Sequence, residues 1–285
     1  MKTHVRFPRV AALLAAVAAL AACDDTTGVG DATPVALNFR VGSAAPLARV
    51  TADGSARAPV ARVAGPPMTV SGTNGELTID EIRLIVAEVE LEGDDDACPG
   101  ADDSSGSGSS GDDDCFEFEA PPRFLDLPLD GQPIEAFAGL VPPGVYDELE
   151  FEIEDLEDDE EDTRFAAEIA ALRTTIQNEF PDWPRKATTL VVGRFTPDGE
   201  SAREFRVYIE AEIEIERDLV PPLVVGEDGA ATDLTVDVRP DIWFSLTDGS
   251  VLDLSAYDYD ATGQVLEFEL EMEDGFTELE IDDGR

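Results

Sequence analysis

The residues from 204 to 216 alternate strictly between mostly charged and apolar or small side chains. The odd positions carry six apolar or small residues, and the even positions carry five glutamates, one arginine and one tyrosine. Because successive side chains of a strand point to opposite faces, such a segment buries one face and leaves the other in water. The pattern therefore predicts a half-buried β-strand, and no other segment constrains the fold as strongly.

The same alternation recurs along most of the chain, in at least ten short segments separated by turn residues. Within 76–92 the apolar residues move from odd to even positions and back again, which predicts one or two β-bulges. Residues 164–180 differ, because Phe165, Ile169 and Ile176 recur at helical spacing. We predict an all-β fold, an antiparallel β-sandwich with one short helix, in a single domain over residues 34–285.

The N-terminus has the composition of an export signal. Basic residues precede a short apolar run, which ends in the tetrapeptide Leu20-Ala21-Ala22-Cys23. This tetrapeptide resembles a bacterial lipobox, which implies removal of signal peptide 1–22 and a lipid on Cys23. The alternative is a transmembrane anchor, but the apolar run is shorter than the ~20 residues that a span needs. We expect a membrane-anchored protein of the bacterial cell envelope, with residues 23–33 as a flexible tether.

Two further cysteines flank a tract of glycine, serine and aspartate. Cys98 and Cys115 are expected to form a disulfide in an oxidising compartment, at the base of a disordered acidic loop, 94–114. A metal site is the alternative, although the only histidine, His4, belongs to the signal peptide. Residues 42–67 lack any period and indicate a second long loop or linker.

The chain is strongly acidic, with 64 Asp and Glu against 19 Lys and Arg and a net charge of −45. This charge argues against nucleic acid and anionic lipid headgroups as partners. It suits divalent cations, cationic partners or high-salt surroundings, and only two of the basic residues are lysines.

Several segments together resemble a family of uncharacterised bacterial lipoprotein domains, a domain of unknown function. They are LTIDEIRLIVAEVELEG, FLDLPLDG, LVPPGVYDELEFEIED, PPLVVGEDG and VDVRPDIWFSLTDGSVLDL, in this order, within residues 68–260. The resemblance implies a transthyretin-like or prealbumin-like sandwich, related in architecture to immunoglobulin-like domains. It implies no activity, because none is assigned to the family.

One loop matches a calcium-binding template. Asp258, Asp260, Thr262, Gly263 and Glu269 stand at positions 1, 3, 5, 6 and 12, where oxygen ligands and a turn glycine are needed. Two features weaken the match: Thr262 replaces the preferred Asp or Asn, and residues 265–272 alternate as a strand. An acidic hairpin turn is the alternative interpretation.

Glutamates also repeat at alternate positions in three predicted strands, at 148–154, 210–216 and 267–273. If two such rows are neighbours, like charges oppose each other, and we expect salt or calcium to stabilise the domain. Three aromatic residues, Trp183, Trp243 and Phe244, suit either a core or a sugar-stacking platform.

We expect no catalytic activity, because no residue set for nucleophilic catalysis is present. A lipoprotein with a structural or binding role is the leading prediction, with an unidentified protein or glycan as partner. The second is a calcium-dependent carbohydrate- or protein-binding module. The third is a hydrolase that uses two carboxylates.

The disulfide is directly testable. Peptide mapping without reduction should recover Cys98 and Cys115 in one cross-linked fragment, while Cys23 carries the lipid. Reduction should lower the free energy of unfolding by about 3 kcal/mol, because it frees a loop of this length in the unfolded chain. Two free thiols in the purified protein would contradict the prediction.

Overall fold

The computed structural model describes residues 32–42, 66–93, 118–156, 164–226 and 231–282 of the chain. Cys23, Cys98 and Cys115 lie outside these ranges, as do the signal peptide, nearly all of the tether, loop 94–114 and most of 42–67. The lipidation and disulfide therefore stay predictions. Among the described helices, none has the length and apolar character needed to cross a membrane.

The described residues form an all-β sandwich with a few short helices, as the alternation predicts. The strands are β1 (Thr33–Val41), β2 (Met68–Gly72), β3 (Gly75–Val86), β4 (Glu88–Gly93), β5 (Phe118–Ala120), β6 (Arg123–Asp126), β7 (Ile134–Val141), β8 (Gly144–Ile153), β9 (Thr189–Pro197), β10 (Arg203–Glu210), β11 (Ile213–Val225), β12 (Thr232–Val238), β13 (Leu266–Glu267) and β14 (Phe276–Asp282). The helical segments are α1 (Ala166–Glu179), α2 (Pro240–Phe244), a 3₁₀ turn (Leu254–Tyr257), α3 (Tyr259–Thr262) and α4 (Leu270–Glu273).

These strands form three sheets. Sheet A has the order β14-β12-β1-β7, sheet B the order β13-β10-β9-β3-β2 with β6 also on β3, and sheet C the order β11-β8-β4-β5. Sheet A is mixed, since β1 pairs with β12 in parallel and with β7 antiparallel. The purely antiparallel expectation was wrong here, because parallel partners are joined through distant parts of the chain and leave no local signal.

Two segments pass directly from sheet B to sheet C. Only Ala87 separates β3 from β4, and only Ala211 and Glu212 separate β10 from β11. Apolar and mostly charged residues alternate across 204–216 without a break, yet the segment forms two strands in different sheets. In β3 the register slips between Ile79 and Glu81, which confirms a bulge at the first phase shift. The second shift marks the change of sheet at Ala87.

A single apolar core joins the three sheets. At its centre Phe151 of sheet C packs against Phe39 and Phe276 of sheet A, with ring centroids 5.1 and 5.3 Å apart. Phe39 and Phe276 also contact each other, at 5.9 Å. These three rings hold sheet C to sheet A, because each is almost completely removed from solvent.

The helical prediction for 164–180 is confirmed by α1, whose Ile176 is buried with Ile169 and Leu172 packed nearby. Residues 265–272 were predicted as a strand, and this was wrong. Pro240 starts the helical turn α2, since proline fits the first position of a helix. Residues 265–272 form only the short β13 and then α4.

The core contacts of Phe151 generate a stability prediction. Phe151→Ala should lower the free energy of unfolding by about 3–5 kcal/mol, because it leaves a cavity between sheets A and C. Leu140→Ala is the control, since Leu140 is 63% exposed, and it should cost about 0.5 kcal/mol or less. Urea unfolding followed by far-UV circular dichroism measures both, and equal losses would contradict the packing described.

Candidate functional site

Sheet C directs a layer of carboxylates away from the core. In β4, β8 and β11 the acidic residues alternate with buried apolar ones, so the acidic side chains all lie on the outer side of the sheet. The acidic face is defined as Glu88, Glu90, Glu92, Glu148, Glu150, Glu152, Glu214, Glu216 and Asp218.

Strand pairing arranges the acidic face as three rows of three. Each glutamate of β8 lies between one acidic residue of β11 and one of β4. The rows are Glu214–Glu152–Glu88, Glu216–Glu150–Glu90 and Asp218–Glu148–Glu92. Directly opposed side chains on neighbouring strands have Cβ atoms about 4.5–5.5 Å apart, so the negative charges are close in both directions of the sheet.

Glu150 is the centre of this arrangement. In the described residues, three groups of three acidic side chains place their carboxylate oxygens within 4.8 Å of one another, and every group contains Glu150. The groups are Glu90–Glu92–Glu150, Glu148–Glu150–Glu216 and Glu150–Glu152–Glu214. Converging carboxylate oxygens are the donors that hard cations such as Ca²⁺ and Mg²⁺ prefer.

The crowding changes the proton affinity of the β8 glutamates. Burial raises the pKa of Glu150 to about 7, and the negative charge of Glu214 adds to the effect. The pKa of Glu152 is also raised to about 7, first by burial and then by the charge of Glu154. Burial raises the pKa of Glu148 in the same direction. Near neutral pH the centre of the acidic face therefore shares protons among its carboxylates.

The predicted glutamate rows are only partly correct. The structure places residues of 148–154 beside residues of 210–216, as the hypothesis of opposed rows required. Glu210 itself lies in β10 of sheet B, and 267–273 supplies no row because it is mostly helical. The row of β4 was missed, although the alternation of Glu88, Glu90 and Glu92 with apolar residues is visible in the sequence.

The predicted calcium loop contains an arginine at its centre. The backbone N–H of Arg206 donates to Asp258 Oδ1 at 3.0 Å, and its guanidinium pairs with Asp260 and Asp182. The Thr262 hydroxyl donates to the carbonyl of Asp258 at 2.8 Å. Arg206 thus supplies the positive charge there, and it also lowers the pKa of Asp182.

Glu269, the last predicted ligand of this loop, is exposed where α4 begins. In the described part of the chain, the converging acidic groups all lie on the acidic face, and none includes Asp258, Asp260 or Glu269. Calcium at this loop stays a prediction that the geometry does not support.

The sugar-stacking interpretation was wrong for Trp243 and Phe244. Both rings are fully buried, and the Trp243 indole donates to the carbonyl of Met272 at 2.8 Å. A Cβ at Gly275 would overlap this indole, so the close approach of backbone and ring requires a glycine. Trp183 is half-buried and makes edge contacts with Phe124 and Tyr208, at 5.2 and 5.1 Å.

Comparisons with known proteins give a structural likeness but no family. No protein-family model matches the chain, and no curated protein matches it. Among solved structures, the chain is similar to MbnP from Methylosinus trichosporium, at 15% sequence identity. The match covers 72% of this chain and 75% of that chain, with a TM-score of 0.32.

The raised pKa of Glu150 predicts how stability depends on pH. The folded protein binds a proton there between the ordinary glutamate pKa of 4.5 and about 7, whereas the unfolded chain has released it. The free energy of unfolding should therefore decrease as the pH rises through this range. Glu150→Gln should be more stable than the parent at pH 8, and this difference should disappear near pH 4.

Urea unfolding at pH 4, 6 and 8 tests this prediction. Glu76→Gln is the matched control, because Glu76 is exposed on β3 of sheet B and should give no comparable pH-dependent gain. A difference between Glu150→Gln and the parent that is constant from pH 4 to pH 8 would contradict the assignment.

Proposed function

We propose that the chain is a non-catalytic binding protein of the bacterial cell envelope that holds divalent cations on the acidic face of sheet C. The observation that carries this proposal is the position of Glu150, whose carboxylate belongs to three converging groups at once. A cation bound beside Glu150 removes the repulsion between three strands, because it replaces like-charge contacts by attractive ones.

The donor set favours calcium over transition metals. The acidic face offers carboxylate oxygens, whereas the sequence holds a single histidine at position 4 and three cysteines. Soft or imidazole ligands are what zinc and copper prefer, while carboxylates suit calcium, magnesium and manganese. Calcium tolerates irregular coordination by six to eight oxygens, whereas magnesium demands a near-ideal octahedron. A flexible row of glutamates on a sheet therefore suits calcium best.

An open sheet face is a poor site for a hydrolase that uses two carboxylates as its catalytic acid and base. The three groups around Glu150 hold their oxygens within 4.8 Å, closer than the roughly 5–5.5 Å of retaining and 6.5–9.5 Å of inverting glycosidases. The outermost residues Glu214, Glu216 and Asp218 are exposed, so this edge of the acidic face is open to solvent in the part of the chain that the structure describes. This geometry supports the non-catalytic role over the hydrolase.

The predicted export of the chain agrees with weak cation binding. If Cys23 is lipidated, the domain lies outside the cytoplasm, where calcium-binding modules typically have dissociation constants of about 10⁻⁴–10⁻³ M. A surface of exposed carboxylates fits this range better than the tight, enclosed sites of cytosolic calcium buffers. Trp243 and Phe244 are buried and cannot stack on a sugar. Recognition of a sugar or protein through the bound calcium stays a prediction.

Calcium should stabilise the folded domain through the acidic face. About 1 mM CaCl₂, within the affinity range of extracellular modules, should raise the Tm more than NaCl at equal ionic strength. Glu150→Gln should lose at least half of the calcium-specific increase, because it removes one ligand from every converging group. Differential scanning fluorimetry gives the Tm, and isothermal titration calorimetry gives the stoichiometry.

Glu76→Gln serves again as the control and should keep the full increase. Equal shifts with CaCl₂ and with NaCl at the same ionic strength would show general screening and overturn the proposal. A loss of the calcium effect in Glu76→Gln as large as in Glu150→Gln would also contradict a site at the acidic face.

A further inference from the structure

A cavity of about 300 Å³ lies between the end of β3, the helix α1 and the segment that follows it. We call it the arginine cavity. Its lining includes the apolar residues Ile85, Leu156 and Ile176, the aromatic Trp183, and the two arginines Arg173 and Arg185. It belongs to a different part of the fold from the acidic face, because none of these residues lies on sheet C.

The apolar part of the cavity is held in place by its surroundings. Ile85, Leu156 and Ile176 form a small buried cluster of their own. The Trp183 indole donates a hydrogen bond to the carbonyl of Ala187 at 2.9 Å, and its ring packs edge-on against Phe124. An apolar ligand therefore meets a preformed surface, which reduces the entropy lost on binding.

The two arginines of the cavity differ in their contacts and in their exposure to solvent. Arg173 donates to the backbone carbonyl of Leu156 and is half-buried at the wall. Arg185 is exposed. The arginines that pair with a carboxylate include Arg40, Arg83, Arg164, Arg194, Arg203, Arg206 and Arg239. Within the described ranges, Arg185 takes part in no such ion pair, although acidic residues outnumber basic ones by 64 to 19.

We propose that the arginine cavity binds a small apolar carboxylate, such as an arylalkanoic or medium-chain aliphatic acid. The apolar body would pack on Ile176 and Trp183, and the carboxylate would accept hydrogen bonds from the Arg185 guanidinium. Arginine is suited to this task, because its planar fork binds both carboxylate oxygens. An engineered cavity of about 150 Å³ already accommodates benzene, so about 300 Å³ suits a ring with a short acidic chain.

The experiment compares three ligands that differ only in their polar end: 4-phenylbutyrate, 4-phenylbutanol and 4-phenylbutylamine. Titration calorimetry is performed on the whole protein with a chelator present, so that cations at the acidic face do not contribute. Trp183 fluorescence, identified by its loss in Trp183→Phe, reports whether the ligand enters this cavity. The acid should bind saturably and at least tenfold more tightly than the alcohol or the amine.

Two matched arginine variants decide the role of the charge. Arg185→Gln should weaken binding of 4-phenylbutyrate at least tenfold while its Tm stays close to that of the parent, because Arg185 is exposed. Arg194→Gln is the control, since Arg194 pairs with Asp80 on sheet B, outside the cavity, and it should bind like the parent.

Three results would overturn the proposal. They are equal binding of the acid and the alcohol, equal binding by the two arginine variants, and no saturable binding of the acid up to millimolar concentrations. Because calcium is excluded from these measurements, none of these results bears on the acidic face.

Discussion

The packing of Phe151 against Phe39 and Phe276 is the contact on which the rest of the structure depends. It holds sheet C against sheet A through one face of β8, and Glu150 and Glu152 lie on the other face of the same strand. Burial of one aromatic side chain stabilises the fold by about 1.5–3 kcal/mol, whereas opposed like charges cost about 0.2–1 kcal/mol per pair. Packing of the apolar face therefore determines the register of β8. This register places the β8 glutamates beside the acidic residues of β4 and β11, despite the repulsion between them.

The few basic side chains of this acidic protein lie in different surroundings. Arg206 lies between Asp182 and Asp260, so a guanidinium occupies the loop that resembles a calcium site. At the centre of the acidic face, burial and then the charges of neighbouring carboxylates raise the pKa values of Glu150 and Glu152. Arg185 shows the opposite situation, a cation beside an apolar cavity. Both proposed sites thus reflect the acidic composition of the chain. The acidic face concentrates its negative charge, whereas the arginine cavity contains Arg185, an arginine outside the ion pairs described above.

Local patterns predicted the local structure well. The spacing of apolar residues placed α1 correctly, and the first shift in the alternation within 76–92 placed the bulge of β3. The failures have physical causes. Alternation continues through Ala211 although the strand changes sheet there, because burial on one side is the same in both sheets. Residues 265–272 alternate like a strand, but only two of them pair with β10, and the segment then continues into the helical turn α4. Strand propensity is decided by partners as much as by the sequence itself.

The sequence by itself determined which side chains of β8 turn away from the core, because the period of two is a property of the strand alone. It also determined the excess of negative charge and the absence of histidine beyond position 4. Only the tertiary structure decided that Glu90 and Glu216 flank Glu150, and that Ile85 and Arg185 line one cavity. These residues are far apart in the chain, and their meeting depends on how three sheets and α1 pack on common apolar clusters. Packing of that kind is a property of the whole fold, so no single segment of the sequence could reveal it.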